Sequence, residues 1–172
     1  GAGCQLSEAY VSRDIDYCKY ILRKAHDLAR GKHIEAVFLS NRFNQSELSQ
    51  EYLQSIFKYW SDIDKPIYLW APMPNFQKQL DTFLRGANVS YPPNIARELK
   101  FYKLLEKIDV PKNIHIIKTS DMWCSSAGTD GCVSFSQSQI LMADEDHLGV
   151  KGAELFGQNV IKNPALKTLF NQ

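Results

Sequence analysis

With 172 residues, 44% of them hydrophobic, the chain is long enough to bury one sizeable core, and it reads as a single domain over residues 1–172. Its formal net charge is +1, with both signs mixed along the sequence, so no basic stripe offers itself to a nucleic acid. The longest apolar runs, such as Ile67 to Pro74, are too short and too broken by Pro72 and Pro74 to cross a bilayer.

The first residues, Gly1-Ala2-Gly3-Cys4-Gln5-Leu6-Ser7, read as loop, with none of the basic-then-apolar pattern of an export leader. Ile15, Cys18, Leu22, Ala25 and Ala29 then recur at helical steps, with Asp14 as N-cap and Gly31 as the stop. Ile34 to Leu39 is an apolar run of strand length that ends in Ser40-Asn41-Arg42. Ser46 or Ser49 caps the next helix, whose apolar face is Leu53, Ile56, Phe57 and Trp60. Pro66 to Trp70 predicts a second strand, since proline is tolerated at a first strand position.

Gln77 to Leu84 reads as a short helix, and Asn88-Val89-Ser90 as a chance match to a glycosylation sequon. Ile95 to Ile108 has helical spacing at Ile95, Leu99, Tyr102 and Leu105, and Ile114 to Lys118 reads as a third strand. Val133 to Phe135 and Ile140 to Met142 predict a small hairpin, and a closing helix runs from about Leu148 to Ile161. Strands that alternate with helices predict an α/β fold with a parallel sheet. Ligands of such sheets bind beyond the carboxyl ends of the strands, a rim that takes in Asn41, the Pro72/Pro74 exit, Asp121 and the segment from Asp144 to His147.

The four cysteines, Cys4, Cys18, Cys124 and Cys132, form two near pairs without zinc-finger spacing to any histidine. Two local disulfides are the simplest reading and imply an oxidising compartment; each is worth roughly 2.5–3 kcal/mol in the chain-entropy model. Four buried free thiols are the alternative. No motif for a cofactor or a metal stands out.

Among the chemistry-bearing residues, Asp144 and His147 lie three positions apart just ahead of the last helix. An imidazole that moves protons near neutral pH needs its second ring nitrogen held, and a carboxylate does this. Asn41 offers an amide to a developing oxyanion, beside its plainer reading as a turn residue. Asp121 reads as a strand-end cap more than as a catalytic group, and His26 and His33, on or beside a helix, and His115, on a strand, as ordinary surface or half-buried positions. No nucleophile completes the pair. Gly-x-Ser-x-Gly and Gly-Asp-Ser are absent, and neither Ser40 nor Ser125-Ser126 has the glycines that a sharp nucleophile turn needs.

Several blocks taken together resemble one family. They are Ala2-Gly3-Cys4 followed by Cys18; Phe38-Leu39-Ser40 to Phe43; and Lys65-Pro66-Ile67-Tyr68 with Pro72 and Pro74. Asp121-x-x-Cys124 to Cys132, and Asp144-x-x-His147-Leu148 to Gly152-Ala153, complete the set. In this order they are similar to the SGNH (GDSL-like) hydrolase domain fused to bacterial acyltransferase-3 membrane proteins, over nearly the whole chain. The resemblance implies a flavodoxin-like, three-layer fold and an extracytoplasmic, periplasmic domain. Its partners would be an acyl donor delivered by a fused upstream multi-pass membrane domain and a cell-surface polysaccharide acceptor.

It further implies His147 as general base, Asp144 as the residue that orients it, and a Gly3 backbone amide in the oxyanion hole with Asn41 in the corresponding asparagine position. The family's serine belongs to a Gly-Asp-Ser block that precedes the Ala-Gly-Cys segment. The resemblance thus implies an N-terminally truncated domain, its nucleophile outside this sequence. The expected activity is O-acyl transfer, most simply of acetyl. A carbohydrate esterase with the same triad, and a non-catalytic glycan- or partner-binding remnant, are the other readings.

Overall fold

The computed structural model describes residues 4–7, 15–41, 43, 48–78, 81, 85, 94–123, 135–136, 139–142, 147–166 and 169. The chain divides into two compact units, one formed by Gly1–Pro72 with Arg97–Ile117 and one by Met73–Ala96 with Lys118–Gln172.

In the first unit, helix α1 (Ile15–Ala29) precedes strand β1 (Val37–Leu39), helix α2 (Gln50–Trp60), strand β2 (Ile67–Trp70), helix α3 (Ala96–Leu105) and strand β3 (Ile114–Ile117). The three strands form a parallel sheet in the order β1-β2-β3, with Val37 beside Ile67 and Ile67 beside Ile114. The fold is therefore α/β with a parallel sheet, as the alternating pattern predicts. Side chains alternate across a strand, so this register puts Val37, Leu39, Ile67, Leu69, Ile114 and Ile116 on one face. Leu39, Ile67, Leu69 and Ile114 belong to one apolar core with Leu22 and Ala29 of α1, Leu53, Ile56, Phe57 and Trp60 of α2, and Phe101 of α3, and Val37 and Ile116 are partly buried against it. The opposite face carries a row of rings across the three strands: Phe38 stacks on Tyr68, and Tyr68 on His115, each with centroids 5.1 Å apart.

The helices follow local sequence rules with two instructive shifts. On α1 the buried positions are Cys18, Leu22, His26 and Ala29, and Ala25, expected inside, is exposed. His26 takes that place because its ring reaches further than a methyl group. Its Nε2 lies 2.9 Å from both the Tyr59 carbonyl and Asp62 Oδ1, and its ring packs on Tyr59 and Trp60. Gly31 ends the helix as expected; its amide bonds the Leu28 carbonyl, and a Cβ would lie 3.0 Å from that oxygen. On α3 the buried residues are Glu98 and Phe101, whereas Leu99, expected on the apolar face, is exposed. Aromatic packing decides this: Phe101 sits edge-on to Phe43, centroids 5.3 Å apart.

In the second unit, a short helix α4 (Ser120–Trp123) is followed by strands β4 (Phe135–Ser136) and β5 (Gln139–Ile140) and by helix α5 (Val150–Lys162), with a 3-10 turn at Pro164–Leu166. The hairpin pairs Phe135 with Ile140 and Ser136 with Gln139, so Ser136 and Gln139, expected in the connection, are part of the ladder. The Asn159 amide donates to the Met122 carbonyl at 2.7 Å and so fastens α5 to α4.

Candidate functional site

Residues 4–7 have no regular structure, yet each is anchored. Cys4 is bonded to Cys18 of α1, with the Cα atoms 5.2 Å apart, which is one of the two expected bridges. Gln5 Oε1 accepts from Asn41 Nδ2 at 2.8 Å and from the Tyr52 hydroxyl. The Leu6 carbonyl accepts from the Trp60 indole at 2.9 Å, and the Leu6 and Ser7 side chains are buried. Loops are ordinarily the mobile part of a fold, so four consecutive anchored residues mark a segment held for its position. The other expected bridge, Cys124 to Cys132, and the predicted oxyanion residue Gly3 lie outside the described residues.

Asn41 stands two residues beyond β1, at the carboxyl end of the sheet where the sequence places it. Its Nδ2 donates to Gln5 and, at 2.6 Å, to the Tyr52 hydroxyl. The backbone then turns through Phe43, which has φ 48 and a side chain that is only 2% exposed. A non-glycine residue in the left-handed region costs about 1–2 kcal/mol, offset here by a ring set edge-on to Tyr52 and Phe101. Tyr52 is thus the shared element: its ring is in the core and its hydroxyl holds both Gln5 and Asn41. Nothing in the sequence marked Gln5 or Tyr52. Only the apolar period of α2 was legible there, and Tyr52 sits one step beside the stripe that starts at Leu53.

His147 belongs to the second unit. It is exposed, and its backbone is pinned on the C-terminal side by an antiparallel bridge between Met142 and Leu148 and by a 2.8 Å bond from the Gly149 amide to the Leu141 carbonyl. Leu141 and Met142 are buried, so His147 is followed by a backbone tied to two core residues, two positions before Gly149 and Val150 start α5. Asp144, its predicted partner, lies outside the described residues. Asp121 is exposed and paired with Lys118 at 3.0 Å. His33 is exposed in a turn, and His115 is exposed on β3.

Among the described residues, no helix is long and apolar enough to cross a membrane.

The family of SGNH domains fused to AT3 domains has a sequence model that matches residues 1–162. Among solved structures, the chain is similar to the lipopolysaccharide acetyltransferase periplasmic domain of Salmonella ser. Paratyphi A. The TM-score is 0.59 at 16% sequence identity, over 90% of this chain and 64% of that one. At that identity the likeness is one of fold, and the chain spans less than two thirds of that neighbour's length. No curated protein matches the chain.

Proposed function

The chain belongs to the family of SGNH domains fused to AT3 domains, and from that membership we propose that it is the C-terminal portion of the extracytoplasmic domain of an O-acyltransferase. The fused membrane domain supplies the acyl group, most simply acetyl, and a cell-surface polysaccharide accepts it. The nucleophilic serine belongs to sequence outside residues 1–172. The observation that carries the reading is His147: an exposed imidazole on a backbone locked to the buried Leu141-Met142 pair, within the part of the chain that matches the family.

In the proposed reaction the serine Oγ attacks the acyl carbonyl while His147 takes its proton. Collapse of the tetrahedral intermediate expels the donor, which leaves with that proton, and an acyl-serine remains. A sugar hydroxyl then gives its proton to His147 and attacks the acyl-serine, and the proton returns to the serine oxygen. Asp144 orients the imidazole. The family resemblance assigns the Gly3 backbone amide to the oxyanion hole, where donors aimed at the developing charge lower the barrier.

The test uses the full-length protein that carries this domain. A fluorophosphonate probe should label one serine, and His147→Ala should slow both labelling and polysaccharide acylation by roughly 10²–10⁴-fold. Equal labelling of the two proteins would remove His147 from the mechanism. Release of free acid in place of acyl-polysaccharide, with acceptor present, would make the protein an esterase.

A further inference from the structure

We infer that Gln5, Asn41 and Tyr52 form a clamp that positions the Cys4–Ser7 loop for catalysis, and that Asn41 acts through this clamp instead of donating to the oxyanion itself. The inference rests on the acyl-transfer reading for its catalytic part and on the geometry alone for its mechanical part.

A side-chain amide has two N–H donors. Both directions in which Asn41 Nδ2 donates end on protein oxygens, Gln5 Oε1 at 2.8 Å and the Tyr52 hydroxyl at 2.6 Å. Tyr52 closes the ring by donating to the same Gln5 oxygen. The three groups come from three different places: the loop, the exit of β1 and the first turn of α2. Tyr52 is 1% exposed, so its hydroxyl is held by a ring that cannot swing out without opening the core. Next to the clamp the chain is fixed twice more, by the Cys4–Cys18 bridge and by the Trp60 indole on the Leu6 carbonyl.

A donor already bonded to neutral protein acceptors is a poor donor to a transient oxyanion, because those bonds must first break. A backbone amide held at a fixed position needs no such reorganisation, which is what oxyanion stabilisation demands. Gln5, Asn41 and Tyr52 are therefore positioning residues. A displacement of about 1 Å in a catalytic element costs up to about 100-fold in rate, so a small loosening of the loop is visible in turnover.

Two measurements on the full-length protein decide the matter. Tyr52→Phe keeps the buried ring and deletes the hydroxyl, and Gln5→Met keeps the length and deletes the polar head. Each should raise amide hydrogen exchange at Leu6 and Ser7 at least tenfold while leaving the amides of Ile56 and Phe57 unchanged. Each should also lower kcat about tenfold or more with the donor KM unaltered. Asn41→Ala should cost no more than these, and Asn41→Ala combined with Tyr52→Phe should cost little beyond either alone, as for groups acting as one unit.

Unchanged exchange in Tyr52→Phe and Gln5→Met would overturn the clamp. Faster exchange with undiminished kcat would overturn its catalytic role. A loss of about 10²–10³-fold in Asn41→Ala, independent of and additive with Tyr52→Phe, would make Asn41 a direct oxyanion donor. The acyl-transfer reading is judged separately by His147→Ala, and if it fails the exchange experiment still decides whether the loop is clamped.

Discussion

Trp60 shows how a single polar atom in the core reaches the loop. Its side chain is 2% exposed, and its single N–H donates to the Leu6 carbonyl at 2.9 Å. Trp60→Phe would retain an aromatic ring but orphan a buried carbonyl, a cost of about 1–3 kcal/mol before the void left by the smaller ring is added. Chemical denaturation should show a lowered midpoint with an unchanged slope. A loss under about 0.5 kcal/mol would mean that the Leu6 carbonyl finds another donor. At this scale the sequence was partly legible. It placed Trp60 on the inner stripe of α2, because apolar period is a one-dimensional signal. It gave no hint of the partner, because a bond across 54 residues depends on tertiary placement. His26 teaches the same lesson: it read as an ordinary helix position, and only the tertiary fold supplies Tyr59, Trp60 and Asp62 around it.

At the scale of elements, the start of α2 combines two devices. Ser49 adopts an extended N-cap conformation and its hydroxyl accepts from the Tyr52 amide at 3.2 Å. The Glu51 carboxylate accepts first from its own backbone amide and then from the Ser49 hydroxyl, and these bonds hold its carboxyl below the ordinary value. A carboxyl lowered in the folded state contributes stability that is fully present above its unfolded pKa and is lost as pH falls through the folded one. Glu51→Gln should therefore lower Tm at pH 7, and the gap to the parent protein should close as pH falls through the lowered carboxyl value. A gap that persists in acid would assign the effect to packing. Ser49→Ala should cost about 1 kcal/mol at pH 7 and less in acid, where the bond to the Glu51 carboxylate is already lost and only the cap on the Tyr52 amide remains.

This N-terminus was readable in the sequence because a cap is local, with serine three residues ahead of the amide it bonds. The extent of β1 was not. Ile34 to Leu39 has strand character throughout, yet the ladder to β2 starts at Val37, whose amide bonds the Pro66 carbonyl. A strand ends where its neighbour ends, and that neighbour is not written in the run itself.

At the scale of the molecule, the order of strands and helices was legible because each crossover leaves its own periodic signature, and the family blocks followed that order. The opposite face of the sheet raises a question that the order alone does not answer. Parallel sheets are almost always covered on both faces. The helical core of the first unit takes in Leu39, Ile67 and Leu69, with Val37 packed against it, while Phe38, on the other face of β1, is 45% exposed beside Tyr68. Among the described residues β1 pairs with β2 alone, and the structural neighbour has length beyond the 64% that this chain covers.

On the proposal that preceding sequence completes the domain, that sequence covers Phe38, and the residue behaves differently in the two contexts. In residues 1–172 alone, Phe38→Ala should destabilise by about 1–2 kcal/mol, since much of the ring already meets water. It should also reduce self-association, because it removes an exposed aromatic from a sheet edge. In the longer protein the same substitution truncates a buried ring and should cost about 3–5 kcal/mol. Unfolding midpoints measured in both contexts, with sedimentation of the shorter chain, separate the cases. Equal small losses would mean that the added sequence leaves this face of β1 bare and completes the domain elsewhere.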